Sequence, residues 1–320
     1  MLIYEKIFTQ NTNLKLVFGA TDERAIKALE NKILWVGENS TKRVSDKLHK
    51  IFEEVYQGKY THEELIDKLR NEFEEYKDME LHKLEAAADF TLRQGRNLGR
   101  VGMAIEMEDE YVQIVAKMDD RTTNICRSMH LRVIKVSDIK EQYNNLTNAQ
   151  TINQTKAASD LSLSQKGLWT KKLPSNFGIP PYHFGCRTVV RTMSSIQIEK
   201  MQLDEFGREY EVRDKDIYNK IRTKENHLRG SKYGSVEELL RETMGSIAYE
   251  GVHDNDQTKR VILGRNNFFV IIDANGKIES CYRYPKNMLN YFYNNSNGVY
   301  YDKTREAFNL IQRVKKWLGL

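Results

Sequence analysis

The sequence is poor in cysteine, with only Cys126, Cys186 and Cys281 among 320 residues. An odd number at this low density excludes a disulfide scaffold and is typical of a chain made in a reducing cytosol. No apolar run approaches the roughly 20 residues that a membrane helix needs. We also expect no secretory signal, because Glu5 interrupts the apolar start of the chain. The sequence therefore predicts a protein without a membrane partner.

Proline is equally scarce, and three of the four prolines lie close together at Pro174, Pro180 and Pro181. Proline fixes φ and lacks an N–H group, so this stretch cannot be helical. Residues 1–125 contain neither proline nor cysteine. Charged residues make up 30% of the chain, which suits long solvated helices, but the net charge of +5 is too small to indicate nucleic-acid binding by itself.

The spacing of apolar residues predicts an α+β fold in four parts. The expected parts are a helical N-terminal region (1–105), an α+β unit (106–195), a charged linker helix (196–224) and a C-terminal α+β domain (225–320). Helical periodicity is found at about 40–57, after Thr61, at 78–98, at 236–247 and at 304–318. Alternation predicts strands at 111–116, 131–136, 260–263, 268–272 and 278–284, and another beginning at Val189.

Two connecting segments carry more specific expectations. The polar residues 141–175 are interpreted as a mobile excursion with a helix near 147–160. Asn275-Gly276 predicts a two-residue type I′ hairpin, in which both residues have positive φ.

Three residues have the chemistry of a zinc site. Cys126, His183 and Cys186 offer thiolate and imidazole ligands, which suit zinc. The last two are three residues apart, and Cys126 comes near them if its strand pairs with theirs. His130 or Asp120 is a candidate for the fourth ligand. The alternative is that both cysteines are small buried apolar residues and His183 bonds a carbonyl; a Cys–His protease is less favoured, because no third orienting residue is evident.

Two blocks around these residues resemble the Mu F-like minor head proteins of tailed phages. The first is Asp-Asp-Arg-Thr-Thr-Asn-Ile-Cys at 119–126, and the second is Pro-Pro-Tyr-His-Phe-Gly-Cys-Arg at 180–187. The resemblance covers about residues 40–195 and departs from the family at Leu131, where a glycine is usual. It implies a virion-associated protein, present in few copies, whose partners are portal and capsid proteins.

The last hundred residues are faintly similar in layout to the barnase/EndoU/colicin/RelE-like ribonuclease folds, which occur as toxin modules behind such domains. This resemblance implies a metal-independent endoribonuclease that acts in the host cytoplasm on RNA and is restrained by an immunity protein. Its catalytic residues would be His227, Arg260, Ser280 and Tyr282. Acid–base transesterification needs a base, an acid and cations that hold the phosphorane charge.

Alternation places Ser280 and Tyr282 on one face of their strand, within reach of one substrate. His253 is a second candidate for the acid or base. Two other functions stay open. One is a purely structural virion protein whose tail contacts portal or scaffold without catalysis, and the other is a zinc-stabilised module whose tail grips DNA.

Overall fold

A computed structural model describes residues 78–149, 152–159, 167–212, 233–283 and 287–303, with a few isolated positions between 50 and 71. Helices and strands are mixed through these ranges, in agreement with the predicted α+β class. None of the helices in this part of the chain combines the length and apolar character that crossing a bilayer requires. Apart from isolated helical positions between 50 and 71, the helices expected before residue 78 lie outside the described residues, as do His227 and the helix at 304–318.

The chain divides into two compact units, each assembled from separate segments. Among the described residues, the first comprises those up to 113, within 134–164 and within 173–195, and the second comprises those within 114–133, 165–172 and 196–320.

The first unit is built on a long helix and a small sheet. Its helices are α1 (Asp78–Glu106), α3 (Val136–Asn148) and α4 (Ile152–Ala158), and the strands of the sheet are β1 (Tyr111–Val115), β2 (Val133–Lys135) and β3 (Val189–Met193). The strand order is β2-β1-β3. Helix α1 packs against β3 and α3, and it buries Leu98, Val101 and Ala104, which recur every three residues on one face.

Asn97 links helix α1 to the proline-rich segment. Its side-chain amide donates to the carbonyl oxygens of Pro180 (3.1 Å) and Thr188 (3.3 Å). Its own oxygen accepts the Val190 N–H at 2.9 Å. One buried side chain thus supplies partners to three backbone groups, two of which, at Pro180 and Thr188, lie outside helices and strands.

Gln142 has a similar role on helix α3. Its amide donates to the carbonyl oxygens of Ala158 and Asn176, and its oxygen accepts the Ile179 N–H at 2.9 Å. The prediction of a mobile excursion over 141–175 is wrong for residues 141–148, which are helical and bury Tyr143 and Leu146. The polar composition was misleading because Gln142 bonds backbone groups in the interior instead of water.

The second unit is built on a five-stranded antiparallel sheet with the order β10-β6-β7-β8-β9. Its strands are β6 (Ile247–His253), β7 (Asp256–Gly264), β8 (Phe269–Ile272), β9 (Ile278–Tyr282) and β10 (Ser296–Asp302). The helices of this unit are α2 (Asn124–Met129), α5 (Ser195–Glu199), α6 (Val236–Met244) and α7 (Met288–Asn294). The structure confirms the helix near 236–247 and the three predicted strands, and it adds β6, β10 and α7.

The two faces of this sheet carry separate apolar clusters. Ile262 and Val270 pack with Leu239 and Leu240 of α6. On the other face, Phe292 of α7 packs with Val261 and Phe269. These two residues directly precede Ile262 and Val270 in the chain. Alternation along each strand therefore places α6 on one face and α7 on the other. Ser235 fixes the start of α6, because its hydroxyl accepts the Glu238 N–H.

The expected linker helix over 196–224 is wrong for the described residues after α5. Strands β4 (Gln202–Leu203) and β5 (Glu209–Tyr210) pair there as a hairpin. The Asp204 carboxylate accepts the N–H groups of Phe206 and Arg208, both at 2.9 Å. Gly207 has φ +78°, which few other residues adopt. These two turn residues outweigh the charged composition that indicated a helix.

The hairpin between β8 and β9 is present but has another turn. Gly276 has φ +83°, whereas Asn275 is not among the described residues with positive φ, so the turn is not type I′. The Gly276 N–H bonds the Asp273 carbonyl, and the Asp273 carboxylate accepts from the N–H groups of Asn275 and Lys277. A longer loop with one left-handed glycine results.

Asn97→Ala tests the link between α1 and the proline-rich segment. We expect the free energy of unfolding to fall by about 2–4 kcal/mol, because buried backbone groups lose their partners. Urea unfolding of the full chain gives this quantity. Asn145→Ala, at an exposed site on α3, is the matched control and should change it by less than about 0.5 kcal/mol. Equal effects of the two variants would contradict the proposed role of Asn97.

Candidate functional site

The block at 119–126 folds as a turn that leads into helix α2. The Thr122 hydroxyl accepts the Asp119 N–H at 2.8 Å and donates to the Lys117 carbonyl at 2.7 Å. The Asp119 carboxylate accepts the Arg121 N–H at 3.0 Å. Such local bonds of Asp and Thr define a turn without a sheet or helix partner. The turn positions Cys126 in the first turn of α2, where it is buried.

The block at 180–187 forms a second turn, after a cis Pro180–Pro181 bond. The Cys186 N–H donates to the His183 carbonyl at 3.2 Å. Gly185, between them, has φ +69°, and a Cβ atom there would meet nothing within 4 Å. The glycine is therefore required by backbone conformation and not by space. This turn brings the side chains of His183 and Cys186 together.

The three predicted zinc ligands form one group. The ligand atoms of Cys126, His183 and Cys186 all lie within 4.8 Å of one another. Both cysteines are free thiols and buried, and His183 is partly exposed. The three residues named from the sequence as zinc ligands are thus near one another, and the group could bind a metal ion.

The hydrogen bonds of His183 suit a metal ligand. Its Nδ1 lies 2.8 Å from the Phe184 carbonyl oxygen. A carbonyl only accepts, so the ring proton is on Nδ1, and Nε2 is the nitrogen that could bind a metal. A hydrogen bond with Cys186 raises the pKa of His183 above its ordinary value. Tetrahedral zinc would need its ligand atoms about 3.5–3.8 Å apart, a spacing below the 4.8 Å limit that this group satisfies.

Neither predicted fourth ligand joins this group. His130 is buried, its Nδ1 accepts the Ala116 N–H at 3.0 Å, and its Nε2 lies 2.7 Å from the Ala274 carbonyl oxygen. Both ring nitrogens are thus occupied, and burial lowers the pKa of His130 to about 3. Asp120 is exposed and is not a member of the group found among the described residues.

The predicted catalytic residues of the tail are not brought together. Arg260 on β7 shares the sheet face of Ile262, toward α6, because the two are separated by two positions. Ser280 and Tyr282 on β9 pair with Ile271 and Phe269 of β8, which face α7. Arg260 and the other two residues therefore project from opposite faces, and His227 lies outside the described residues.

Tyr282 and His253 have local partners. The Tyr282 hydroxyl bonds the Tyr291 hydroxyl at 2.8 Å. Burial raises the pKa of Tyr282, and this hydrogen bond raises it further. His253 ends β6, and its Nδ1 lies 3.1 Å from an Asp254 carboxylate oxygen and 3.2 Å from the Asn255 N–H.

The sequence analysis missed the partners of Arg260. Glu250 on β6 accepts bonds at 3.0 and 2.7 Å from the two terminal nitrogens of Arg208. The Tyr300 hydroxyl donates to Glu250 at 2.8 Å, and an Arg260 nitrogen lies 3.4 Å from the same oxygen. Arg208 also bonds Asp204 at 2.8 Å. We call these five residues the core ion network.

The chemistry of the core ion network is that of a closed structural site. Arg208, Glu250 and Arg260 are each at most 1% exposed. Burial acts to raise the pKa of Glu250, but the two arginines outweigh it, so the pKa lies below its ordinary value. Burial also raises the pKa of Tyr300 well above its ordinary value. A carboxylate held ionised and fully bonded is a poor general base.

An aromatic side chain covers this network. Trp169 stacks on Tyr300 with ring centroids 5.3 Å apart, and the Arg208 guanidinium lies 5.4 Å from the Trp169 ring. Arg132 holds the covering segment by donating to the carbonyl oxygens of Leu168 and Thr170, both at 2.8 Å. Glu250, which lies between largely apolar neighbours in β6, is a sequence signal that indicates a buried ion pair.

Comparison with protein-family models, with curated proteins and with solved structures finds no match to this chain. The family resemblance therefore rests on the two blocks quoted above.

Glu250→Ala tests whether the core ion network is structural. We expect the free energy of unfolding to fall by about 3–5 kcal/mol, because two buried guanidinium groups lose their carboxylate. Glu279→Ala is the matched control, since Glu279 pairs with Lys259 at 2.9 Å where both side chains are about one-third exposed. Its loss should cost no more than about 1 kcal/mol in the same urea titration. Similar losses in the two variants would show that burial of the network contributes nothing.

Proposed function

We propose that this chain is a structural protein of a tailed-phage head, of the minor head type, with zinc held by Cys126, His183 and Cys186. One observation carries the proposal. The two sequence blocks that resemble the minor head family are the blocks that supply the three converging ligands. The residues that carry the resemblance are thus also residues that could bind a metal ion together.

Zinc bound to two thiolates and an imidazole contributes directly to folding free energy. Cys126 and Cys186 are buried, which protects thiolate ligands from oxidation and exchange. A water molecule would supply the fourth ligand. In the alternative, both cysteines only fill space and His183 bonds a backbone carbonyl, as its Nδ1 does with that of Phe184. We favour zinc because three side chains with ligand chemistry meet at one place.

The partners follow from the family resemblance. Minor head proteins are associated with the virion near the portal, so portal and capsid proteins are the proposed partners. Phe184, 59% exposed and in ring contact with Phe90 at 5.2 Å, lies between His183 and Cys186 in the chain. Zinc binding would therefore also fix the position of this exposed aromatic residue.

For the tail we favour the structural alternative over the ribonuclease. The ribonuclease prediction requires Arg260, Ser280 and Tyr282 to act on one substrate, and these residues lie on opposite faces of the sheet. Arg260 is also 1% exposed and beside Glu250. This placement supports a tail that contacts other head proteins and does not cleave RNA.

Metal analysis of the full chain, purified without chelator, tests the zinc proposal. We expect about one zinc ion per chain, reduced at least tenfold in Cys126→Ser and in Cys186→Ser. Cys281→Ala is the matched control, because Cys281 is also a buried free thiol but is not in the ligand group. It should keep its zinc.

Two results would contradict the zinc proposal. One is wild-type protein with less than a tenth of an equivalent, and the other is equal zinc content in all four proteins. Cobalt substitution gives an independent readout that does not depend on the stability of the variants. The wild-type protein should show thiolate-to-cobalt absorption, and the spectrum should be unchanged in Cys281→Ala.

Incubation of the full chain with RNA, in chelator, tests the absence of catalysis. Acid–base transesterification needs no metal, so a ribonuclease would remain active under these conditions. We expect the RNA to stay intact over hours, with an added ribonuclease as the positive control. Cleavage that is abolished by Ser280→Ala or Tyr282→Phe would overturn the structural assignment of the tail.

A further inference from the structure

The chain contains the dipeptide Asn-Gly twice, at 275–276 and at 297–298, and both copies lie in the second unit. In this dipeptide the asparagine side chain reacts readily with the backbone, because glycine has no Cβ atom to hinder the attacking nitrogen. That nitrogen must reach Cγ, the side-chain carbonyl carbon of the preceding asparagine. The backbone around it must therefore be able to move, so the local structure decides whether a given copy reacts.

The first copy is held in a closed turn. The Gly276 N–H, whose nitrogen would have to attack, donates to the Asp273 carbonyl at 3.2 Å. The Gly276 carbonyl accepts the Glu211 N–H at 2.9 Å, and the Asn275 N–H donates to the Asp273 carboxylate at 2.8 Å. Gly276 is also buried, and a Cβ atom there would lie 2.8 Å from a Leu131 methyl carbon. Attack on Cγ would require several of these contacts to open first.

The second copy lies on an outer strand of the five-stranded sheet, where the pairing is irregular. Strand β10 is at the edge of that sheet, and its register with β6 shifts between Ser296 and Val299. Asn297 and Gly298 fall inside this shift, which is typical of a β-bulge. Both residues are exposed. The second copy is therefore open to water at a point where the ladder of hydrogen bonds is disrupted.

The backbone at this second copy is less restrained than at the first. Gly298 has φ +87°, and a Cβ atom at this position would meet nothing within 4 Å. Apart from the ladder with β6, neither Asn297 nor Gly298 has a hydrogen bond among the described residues. The Gly298 carbonyl does pack closely, since a Cβ atom at Gly251 would lie 2.9 Å from its oxygen. That oxygen is on the far side of the residue from the nitrogen that attacks.

We propose that Asn297 is a site of spontaneous deamidation, in which the Gly298 nitrogen attacks Cγ of Asn297. A nitrogen–carbon bond forms and the Gly298 nitrogen gives its proton to solvent. The side-chain nitrogen takes up a proton and leaves as ammonia, so that a cyclic imide results. Water then opens the imide at either carbonyl, which gives aspartate or isoaspartate. The reaction needs only water, and it places one new negative charge on the edge strand β10.

Peptide mass spectrometry of the full chain, after incubation at mildly alkaline pH, tests the proposal. Trypsin separates the two copies, because it cleaves after Arg283 between them. We expect conversion at Asn297 to exceed conversion at Asn275 by roughly tenfold or more, since the turn at Asn275 must open before it can react. Equal conversion of the two residues in the folded chain, or an unchanged Asn297, would overturn the proposal. The measurement uses the wild-type protein and does not depend on a variant that folds.

Two controls separate the effect of the fold from that of the dipeptide. In urea, which removes both the turn and the bulge, Asn275 and Asn297 should convert at similar rates. A difference that persists in urea would contradict the protection assigned to the turn. Labelling with an isoaspartyl methyltransferase identifies the route, because direct hydrolysis of the amide gives only aspartate. Isoaspartate should form at Asn297 in the folded chain and be absent in Asn297→Gln, whereas aspartate alone would exclude attack by the Gly298 nitrogen.

Discussion

The contact between Arg208 and Glu250 is the interaction on which the second unit depends. Two charges that are fully buried are tolerated only when their hydrogen bonds are complete. Arg208 meets this condition through Glu250 and Asp204, and Asp204 at the same time closes the β4–β5 turn. Tyr300 brings β10 to the same carboxylate. One ion pair thus holds both the β4–β5 hairpin and the outer strand β10.

In the first unit, two neutral buried side chains likewise have complete hydrogen bonds. Asn97 and Gln142 are buried amides, and each bonds three backbone groups, two of which lie outside helices and strands. An amide carries both donors and an acceptor, so it can satisfy N–H and carbonyl groups at once. Irregular, proline-containing chain can therefore be packed in the interior. In both units, a few polar side chains replace the missing regular secondary structure.

Sequence patterns predicted the features that depend on neighbouring residues in the chain, such as strands and the ligand types of the metal group. Alternation identified β7, β8 and β9, and ligand chemistry identified Cys126 and Cys186 as a pair with His183. The prediction that the catalytic residues share one site failed, because it depends on how distant strands pair. The periodicity of β9 places Ser280 beside Tyr282, but only the pairing with β8 shows that Arg260 faces the other way. Likewise Arg208 lies in the stretch expected to be a charged linker helix, because its partner Glu250 is 42 positions away and no local pattern identifies it.

The direction in which the charged groups of the tail point bears on function. A catalytic carboxylate needs a free lone pair, access to substrate and a pKa near the working pH. Glu250 has none of these, since its oxygens are bonded, its side chain is 0% exposed, and its pKa is lowered. The arginines around it are likewise turned inward, to carboxylates and carbonyl groups. The strongest electrostatics of the tail therefore act on its own stability, and its interactions with other molecules must come from its surface.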